Sequence, residues 1–534
     1  MASEMERMRQ RSQKAKNRGD WLEVVELLEK YRKALPDDKA AALDLGDALM
    51  KLERFDDACR LYAELFERWP KNPIIASNLG AALLRCGNIQ DSRQLLEYCL
   101  TLDPKNLYAR INLGGVFQAS RDYKAALQNA LEAVSVEPTH PLTFNNLGSA
   151  FSDLAQFNEA KHAYETSLML DPTNVDASIN LATVEARLGN SKQAIEMFER
   201  TLGMLPPESI QRAQAVRFYS SFEYLKLGDL KNGWRNYEGG FSPLVPITGR
   251  RSPQRNFDVA RFNEEVDEGT TVLLWREQGL GDEIMFATCI PDILMRYPKC
   301  NFIFECDRRM TGIWSRAFPS VRVRAEPSLF ELTSVASDFD RHLPIGSLPS
   351  IVRGSLDRFH GSPKIALRAS SEKLKFYKEW LNAEGREKSR RVGICWRSGV
   401  IDPNRALEYS NLDEWSFLSE NSNYDIVCLQ YDECEQELCQ AERLFGRKVL
   451  RPPCDRKNDL EDMLAIIQNL DLVISAHTAV LHLAAFGGQK CVSVSPDGPY
   501  DWPYLGQERF PWYSNVESIK RSSLHELSLP IILP

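Results

Sequence analysis

The chain has 534 residues, 43% hydrophobic and 26% charged, and its 74 acidic and 66 basic side chains give a formal net charge of -8. At ~100–200 residues per domain, that length predicts three or four folding units. The acidic balance argues against a broad nucleic-acid surface, which needs clustered Lys and Arg. No run reaches the ~20 apolar residues of a membrane-spanning helix.

From Met1 to Gly19 the chain is polar and basic, without the apolar stretch of a signal peptide. Its 12 cysteines are scattered, several in apolar runs, and none form a CxxC pair. This pattern predicts reduced, buried thiols in a cytoplasmic protein, not a zinc site or a disulfide framework.

Internal repeats dominate the first part. Prolines stand at Pro36, Pro70, Pro104, Pro138, Pro172 and Pro206, 34 residues apart. Leu45-Gly46, Leu79-Gly80, Leu113-Gly114, Leu147-Gly148 and Leu181-Ala182 keep the same period, as do Ala58, Ser92, Ala126, Ala160 and Ala194. Small residues at these places let two helices approach, and proline closes each unit. Thirty-four residues is the period of the tetratricopeptide repeat (TPR), a family this segment resembles. Five full repeats are expected over 39–208, inside an α-solenoid spanning 1–240. A degenerate helix pair precedes them, and a sixth pair follows with a first helix about five residues longer, as a terminal repeat allows.

Asn78, Asn112, Asn146 and Asn180 recur at one position of successive repeats, with Asp44 in the first. A carboxamide both donates and accepts hydrogen bonds, so a ladder of them suits an extended acceptor peptide. Asparagine at this place also serves ordinary repeats by bonding a neighbouring unit. The repeats of O-GlcNAc transferase carry a similar ladder.

Residues 241–268, rich in proline and charge, read as a linker. Beyond them, short apolar runs alternate with helical patterns: 272–275, 302–304, 392–395, 426–429, 472–474 and 492–494. Such alternation predicts parallel sheets covered by helices, here two Rossmann-like domains at 269–370 and 371–534. Two places have the form of a ligand site at a strand end. At Leu273–Phe286 a strand runs into Glu277-Gln278 and then Gly279-Leu280-Gly281-Asp282, where glycines allow close approach and a helix start favours an anion. At Leu472–Gly488 a strand is followed by His477, by Thr478 as a candidate cap, and by a helix carrying His482.

These two segments together resemble the heptosyltransferase-type GT-B glycosyltransferases. Val392–Trp396, Arg405, Leu429-Gln430, Asp501-Trp502 and Pro511–Tyr513 are similar to that family, as is the stretch from Asp338 to Pro349. Bacterial proteins joining TPRs to such a domain share the Gly233-Trp234 and Tyr237-Glu238 found here. The resemblance implies an α-solenoid followed by a GT-B fold. It also implies transfer from a nucleotide sugar, or a CMP-nonulosonate, to a protein hydroxyl. Some proteins of this layout modify flagellin, which makes flagellin a candidate acceptor.

On that resemblance Asp282 is the expected base and Gly279 and Gly281 form the glycine loop. Thr478, His482, His477, Arg397, Arg405 and Gln430 are the expected donor-binding residues, with His477 read as a positive charge for a phosphate or carboxylate and Arg397 and Arg405 as anion clamps. Glu277 would order the loop or serve as a second acid, and Trp396 and Trp512 would pack or line the base or sugar. No metal or cofactor is implied, and Asp338-Phe339-Asp340 is only weakly similar to a metal-binding DxD. The family's usual aspartate is replaced by His477, and its donor-site lysine is missing from 396–399. Two other readings therefore stay open: a glycan or small-molecule glycosyltransferase recruited by its repeats, and a non-catalytic adaptor.

Overall fold

The computed structural model describes residues 2–245, 251–253, 255–327, 338–359, 365–399, 403–419, 424–498 and 501–527, the side chains of residues 2, 3 and 405 apart. The chain forms two compact units, 1–184 and 185–534.

The first unit is built of antiparallel helix pairs. A leading pair, α1 (Ala2–Arg18) and α2 (Trp21–Ala34), precedes α3 (Lys39–Lys51) and α4 (Phe55–Arg68), α5 (Pro73–Arg85) and α6 (Ile89–Leu102), α7 (Leu107–Ala119) and α8 (Tyr123–Val136), and α9 (Pro141–Asp153) and α10 (Phe157–Leu170). Next comes α11 (Val175–Arg187), which runs into the second unit. Side-chain oxygens of Asp20, Asp38, Asn72, Asn106 and Asp122 accept first-turn N–H groups, fixing where those helices begin.

Three of the four glycine markers prove to be tight contact points; at Gly114 a Cβ would meet only Asn129 Nδ2, at 3.4 Å. A Cβ at Gly46 would lie 2.4 Å from the Tyr62 ring, one at Gly80 would lie 2.7 Å from Leu96, and one at Gly148 would lie 2.6 Å from Tyr164. The turn between paired helices uses a left-handed residue at Glu53, Gly87, Arg121, Ala155 and Gly189, again every 34 residues. Only two of the five are glycine, so this fourth marker is invisible to a search for glycine.

The second unit begins with the end of α11. Then follow α12 (Ser191–Met204), α13 (Ile210–Lys226) and α14 (Leu230–Tyr237). Helix α13 has 17 residues against 13 in α11, so the extension is four residues, not five. Strands β1 (Thr271–Trp275), β2 (Asn301–Cys306), β3 (Arg322–Ala325) and β4 (Arg341–Pro344) form a sheet of order β3-β2-β1-β4. Strands β5 (Arg390–Cys395), β6 (Tyr424–Cys428), β7 (Val449–Leu450), β8 (Leu472–Ala476), β9 (Cys491–Ser495) and β10 (Val516–Lys520) form another, of order β10-β9-β8-β5-β6-β7. Every pairing in both sheets is parallel.

Interspersed helices are α15 (Leu280–Ala287), α16 (Ile290–Arg296), α17 (Thr311–Ala317), α18 (Leu348–Val352), α19 (Ser371–Glu384), α20 (Pro403–Ala406), α21 (Glu435–Phe445), α22 (Leu460–Ile467) and α23 (Ala479–Phe486). β6, β8 and β9 are buried along their whole length, which is why they read as continuous apolar runs.

Some described residues of the stretch read as a linker are instead packed: Ser242, Val245, Arg251 and Phe262. Arg251 is fully buried, Phe262 is buried, and the Phe262 N–H donates to the His342 carbonyl at 2.8 Å. Around it an aromatic cluster joins Phe222, Trp234 and Tyr237 of the last helix pair to Phe286, Trp502 and Trp512. Nearby, a Cβ at Gly506 would lie 2.9 Å from the Gly228 nitrogen, so two glycine backbones touch.

Candidate functional site

In both sheets the chain order reverses beside a central strand: at β1 in the first and at β5/β8 in the second. Open α/β sheets bind ligands at the carboxyl ends of strands flanking such a reversal. The loop after β1 and the loop after β8 are the two stretches singled out from the sequence.

After β1, Glu277 is fully buried. Its carboxylate takes a two-pronged ion pair from Arg251, with Arg251 Nε to Oε2 at 2.6 Å, and accepts the Gly346 N–H at 2.8 Å. Gln278 follows with a φ of 60°, a left-handed conformation unusual for a side chain of its size. Gly279 is the N-cap of α15, and Asp282 Oδ2 accepts its N–H at 3.2 Å. The expected base thus also braces its own helix start.

Sequence reasoning missed Glu283. It is fully buried, accepting from Trp314 Nε1 at 2.9 Å and from the Asp307 N–H at 2.9 Å, with Arg276 Nε 2.8 Å away. Burial pushes its carboxyl up to about 7 despite the nearby Arg276. Arg276 also pairs with Glu326 at 2.6 Å, tying together the carboxyl ends of β1, β2 and β3. Charged residues just after successive strands were the available signal: basic Arg276 after β1, then acidic Asp307 after β2 and Glu326 after β3.

After β8, Thr478 occupies the N-cap of α23, but its hydroxyl makes no capping bond. It lies 3.4 Å from Ser475 Oγ and 3.7 Å from Cys395 Sγ, so it is a cap by position only. His482 is buried, with Nδ1 3.2 Å from the Tyr513 hydroxyl. The rings of His477 and His482 are 5.1 Å apart, with Phe510 5.3 Å from His477. His477 Nε2 is buried and makes no hydrogen bond among the described residues. Burial holds both imidazoles below the ordinary histidine pKa, and His477 depresses His482 further. The expected positive charge at His477 is therefore corrected: near neutral pH this is a neutral ring with an unused nitrogen.

The two turns meet. A Cβ on Gly281 would lie 3.3 Å from His482 Cδ2 and 3.6 Å from the Ala479 backbone nitrogen. The first turns of α15 and α23 are therefore in van der Waals contact, which brings the positive ends of two helix dipoles close together.

Other expected ligands are committed elsewhere. Arg397 is wrapped by Asp432 and Glu437, with Nε 2.9 Å from Glu437 Oε1, and is corrected from an open anion clamp to an internal ion pair. Gln430 is fully buried, accepting from the Trp396 and Arg397 N–H groups and donating to the Arg397 carbonyl at 2.9 Å. Its amide knits the ends of β5 and β6 and leaves nothing for a donor. The Arg405 side chain lies outside the described residues. Trp396 and Trp512 are buried packing residues. Asp338 pairs with Arg322 and Arg324, and Asp340 accepts the Thr271 N–H at 2.8 Å. Both carboxylates of the DxD thus have protein partners.

In the repeats, the rungs of the asparagine ladder differ. Asp44 is paired with Arg9 and Lys16, Asn78 donates to the Tyr62 hydroxyl at 3.2 Å, and Asn180 donates to Asn145 Oδ1 at 3.1 Å. Asn112 and Asn146 are half-buried, and no side-chain hydrogen bond engages either among the described residues.

Family models described as tetratricopeptide repeats match residues 15–73 and 43–106, and another of that description matches 153–216. Protein FlbA of Caulobacter vibrioides is 29% identical over 326 residues, covering 59% of this chain. The match spans 53% of FlbA, about half the length of that curated relative. Among solved structures, TTC0263, a thermophilic TPR protein of Thermus thermophilus, is 19% identical with a TM-score of 0.32, covering 34% of this chain and 96% of its own. MamA from Desulfovibrio magneticus RS-1 is 21% identical with a TM-score of 0.27, covering 32% and 95%. The 34-residue register, the helix pairs it produces and the family models agree that the N-terminal part of this chain is an array of tetratricopeptide repeats.

Proposed function

We propose that the chain is a glycosyltransferase of GT-B type that moves a sugar from a nucleotide-sugar donor to a hydroxyl of a protein held by its repeats. The observation that carries this reading is the approach of Gly281 on α15 to Ala479 and His482 on α23. Two helix N-termini brought together from two parallel sheets make a locally positive place, which suits a diphosphate. In the reaction the acceptor oxygen bonds to the anomeric carbon. The bond from that carbon to the phosphate oxygen breaks, and the diphosphate leaves with the electron pair. Asp282 takes the acceptor proton, and the helix N-termini stabilise the departing charge. A fused repeat array raises the acceptor's local concentration, which favours a protein acceptor. Flagellin is a candidate, as the layout suggests.

A non-catalytic adaptor is the second reading, favoured by the internal pairing of Arg397 and Gln430 and by the Asp282 brace. Incubation with labelled nucleotide sugars and cell extract distinguishes them. Labelled protein that vanishes for Asp282→Ala supports transfer to protein. Label confined to glycans moves the acceptor to another class. No label with any donor favours the adaptor.

A further inference from the structure

The turn that carries Asp282 is not held by its own sheet alone. Gln278 sits at a φ of 60°, a left-handed conformation that is strained for a residue with a side chain. It persists because two groups outside the sheet hold it. Gln278 Nε2 donates to the Tyr237 hydroxyl at 2.6 Å, and its backbone N–H donates to the Ser252 carbonyl at 2.6 Å. Tyr237 ends α14, the last helix of the repeat-like pairs, and is buried.

Arg251 secures that arrangement. Its guanidinium lies 4.5 Å from the Tyr237 ring centre and 4.4 Å from that of Phe241, donates to Ser347 Oγ at 2.9 Å, and forks onto Glu277, the residue before Gln278. A buried cation so enclosed is fixed in place: its rings, carboxylate and hydroxyl specify one position. Close approach also makes the neighbouring glycines obligatory, since a Cβ at Gly239 would lie 2.1 Å from the Gln214 carbonyl oxygen and one at Gly240 would lie 2.7 Å from Arg251 Cγ.

We infer that Tyr237 is a positioning residue for the candidate site: its hydroxyl, acting through Gln278, sets the turn that presents Gly279 to Asp282. The end of the repeat array is therefore part of the site's framework. The inference rests on the glycosyltransferase reading only for its consequence in turnover; the mechanical link stands on the geometry alone.

The test is hydrogen exchange on the full chain carrying Tyr237→Phe, which removes the hydroxyl and keeps the ring. Amides of 279–283 are expected to exchange roughly fivefold faster, the effect of one lost neutral hydrogen bond, while α13 keeps its protection. A second variant, Gln278→Gly, adopts positive φ without a tether, so adding Tyr237→Phe to it should change exchange at 279–283 no further. For a donor that labels protein, Tyr237→Phe should lower kcat with the donor KM unchanged, at a temperature where circular dichroism shows the variant fully folded, so that loss of folded enzyme does not account for the fall. Unchanged exchange at 279–283 in Tyr237→Phe would overturn the inference. So would acceleration spread evenly through 185–534, or effects of the two substitutions that simply add. Faster local exchange in a protein that turns over no donor would sustain the link and remove the sugar-transfer reading.

Discussion

At the scale of single residues, burial decides more than residue type does. His477 and His482 both carry depressed pKa values because their rings are desolvated, and His342 falls to about 4 for the same leading cause. A histidine with a lower pKa in the folded chain leaves the unfolded chain binding more protons below ~6.5. Stability from these residues is complete above that pH and is lost as pH falls through it. Glu283 acts in the opposite sense. Its raised value, about 7, means stability fully present below ~4.5 and lost as pH rises toward 7. The melting temperature should therefore climb between pH 5 and 7 in the wild type. It should climb less in His482→Gln and more steeply in Glu283→Gln, as differential scanning fluorimetry over a pH series would show. A second residue-scale outcome concerns Gly281. Gly281→Val drives branched carbons into His482 and the Ala479 backbone and should cost ~1–3 kcal/mol in chemical denaturation.

At the scale of elements, the repeats were legible and the sheets only half so. Proline, Leu-Gly and small-residue markers fixed the helix pairs because each has a steric cause: Gly46 against Tyr62, Gly80 against Leu96, Gly148 against Tyr164. The left-handed turn residues went unread because Glu53, Arg121 and Ala155 adopt that conformation without being glycine. Replacing each by glycine should raise stability by about 0.5–1 kcal/mol, measured as a shift in the urea midpoint. The buried strands β1, β2, β5, β6, β8 and β9 showed as apolar runs. β3 (RVRA), β4 (RHLP) and β7, of two residues, have too little apolar sequence to show, and charged residues hide β10. In the site, the two loops were found because a strand followed by a helix start has a local signature. The occupancy of Arg397 and Gln430 was not, because the Arg397 partners Asp432 and Glu437 lie 35 and 40 residues away in sequence.

At the scale of the whole molecule, the boundary read at residue 240 and the compact units part company. Residues 185–240 pack with the α/β part of the chain: Trp234 is buried against Trp502 and Trp512, and Tyr237 against Phe286. A fragment of 185–534 should therefore fold, with native-like near-ultraviolet circular dichroism. One starting at residue 241 loses the Trp234 and Tyr237 rings and should aggregate on size-exclusion chromatography. A soluble, ordered 241–534 fragment would contradict this account of the core.

The touching backbones of Gly228 and Gly506 bear on how such chains can be recombined. Gly506 cannot acquire a side chain unless the Gly228 backbone yields, and both glycines hold a positive φ, so the turn after α13 and the loop after Tyr504 are fitted to each other. A chimera that grafted a foreign array at residue 240 would bring an unmatched turn to that seam. A join upstream of Glu185 would carry the matched pair across intact, making that junction the place where one array could be exchanged for another.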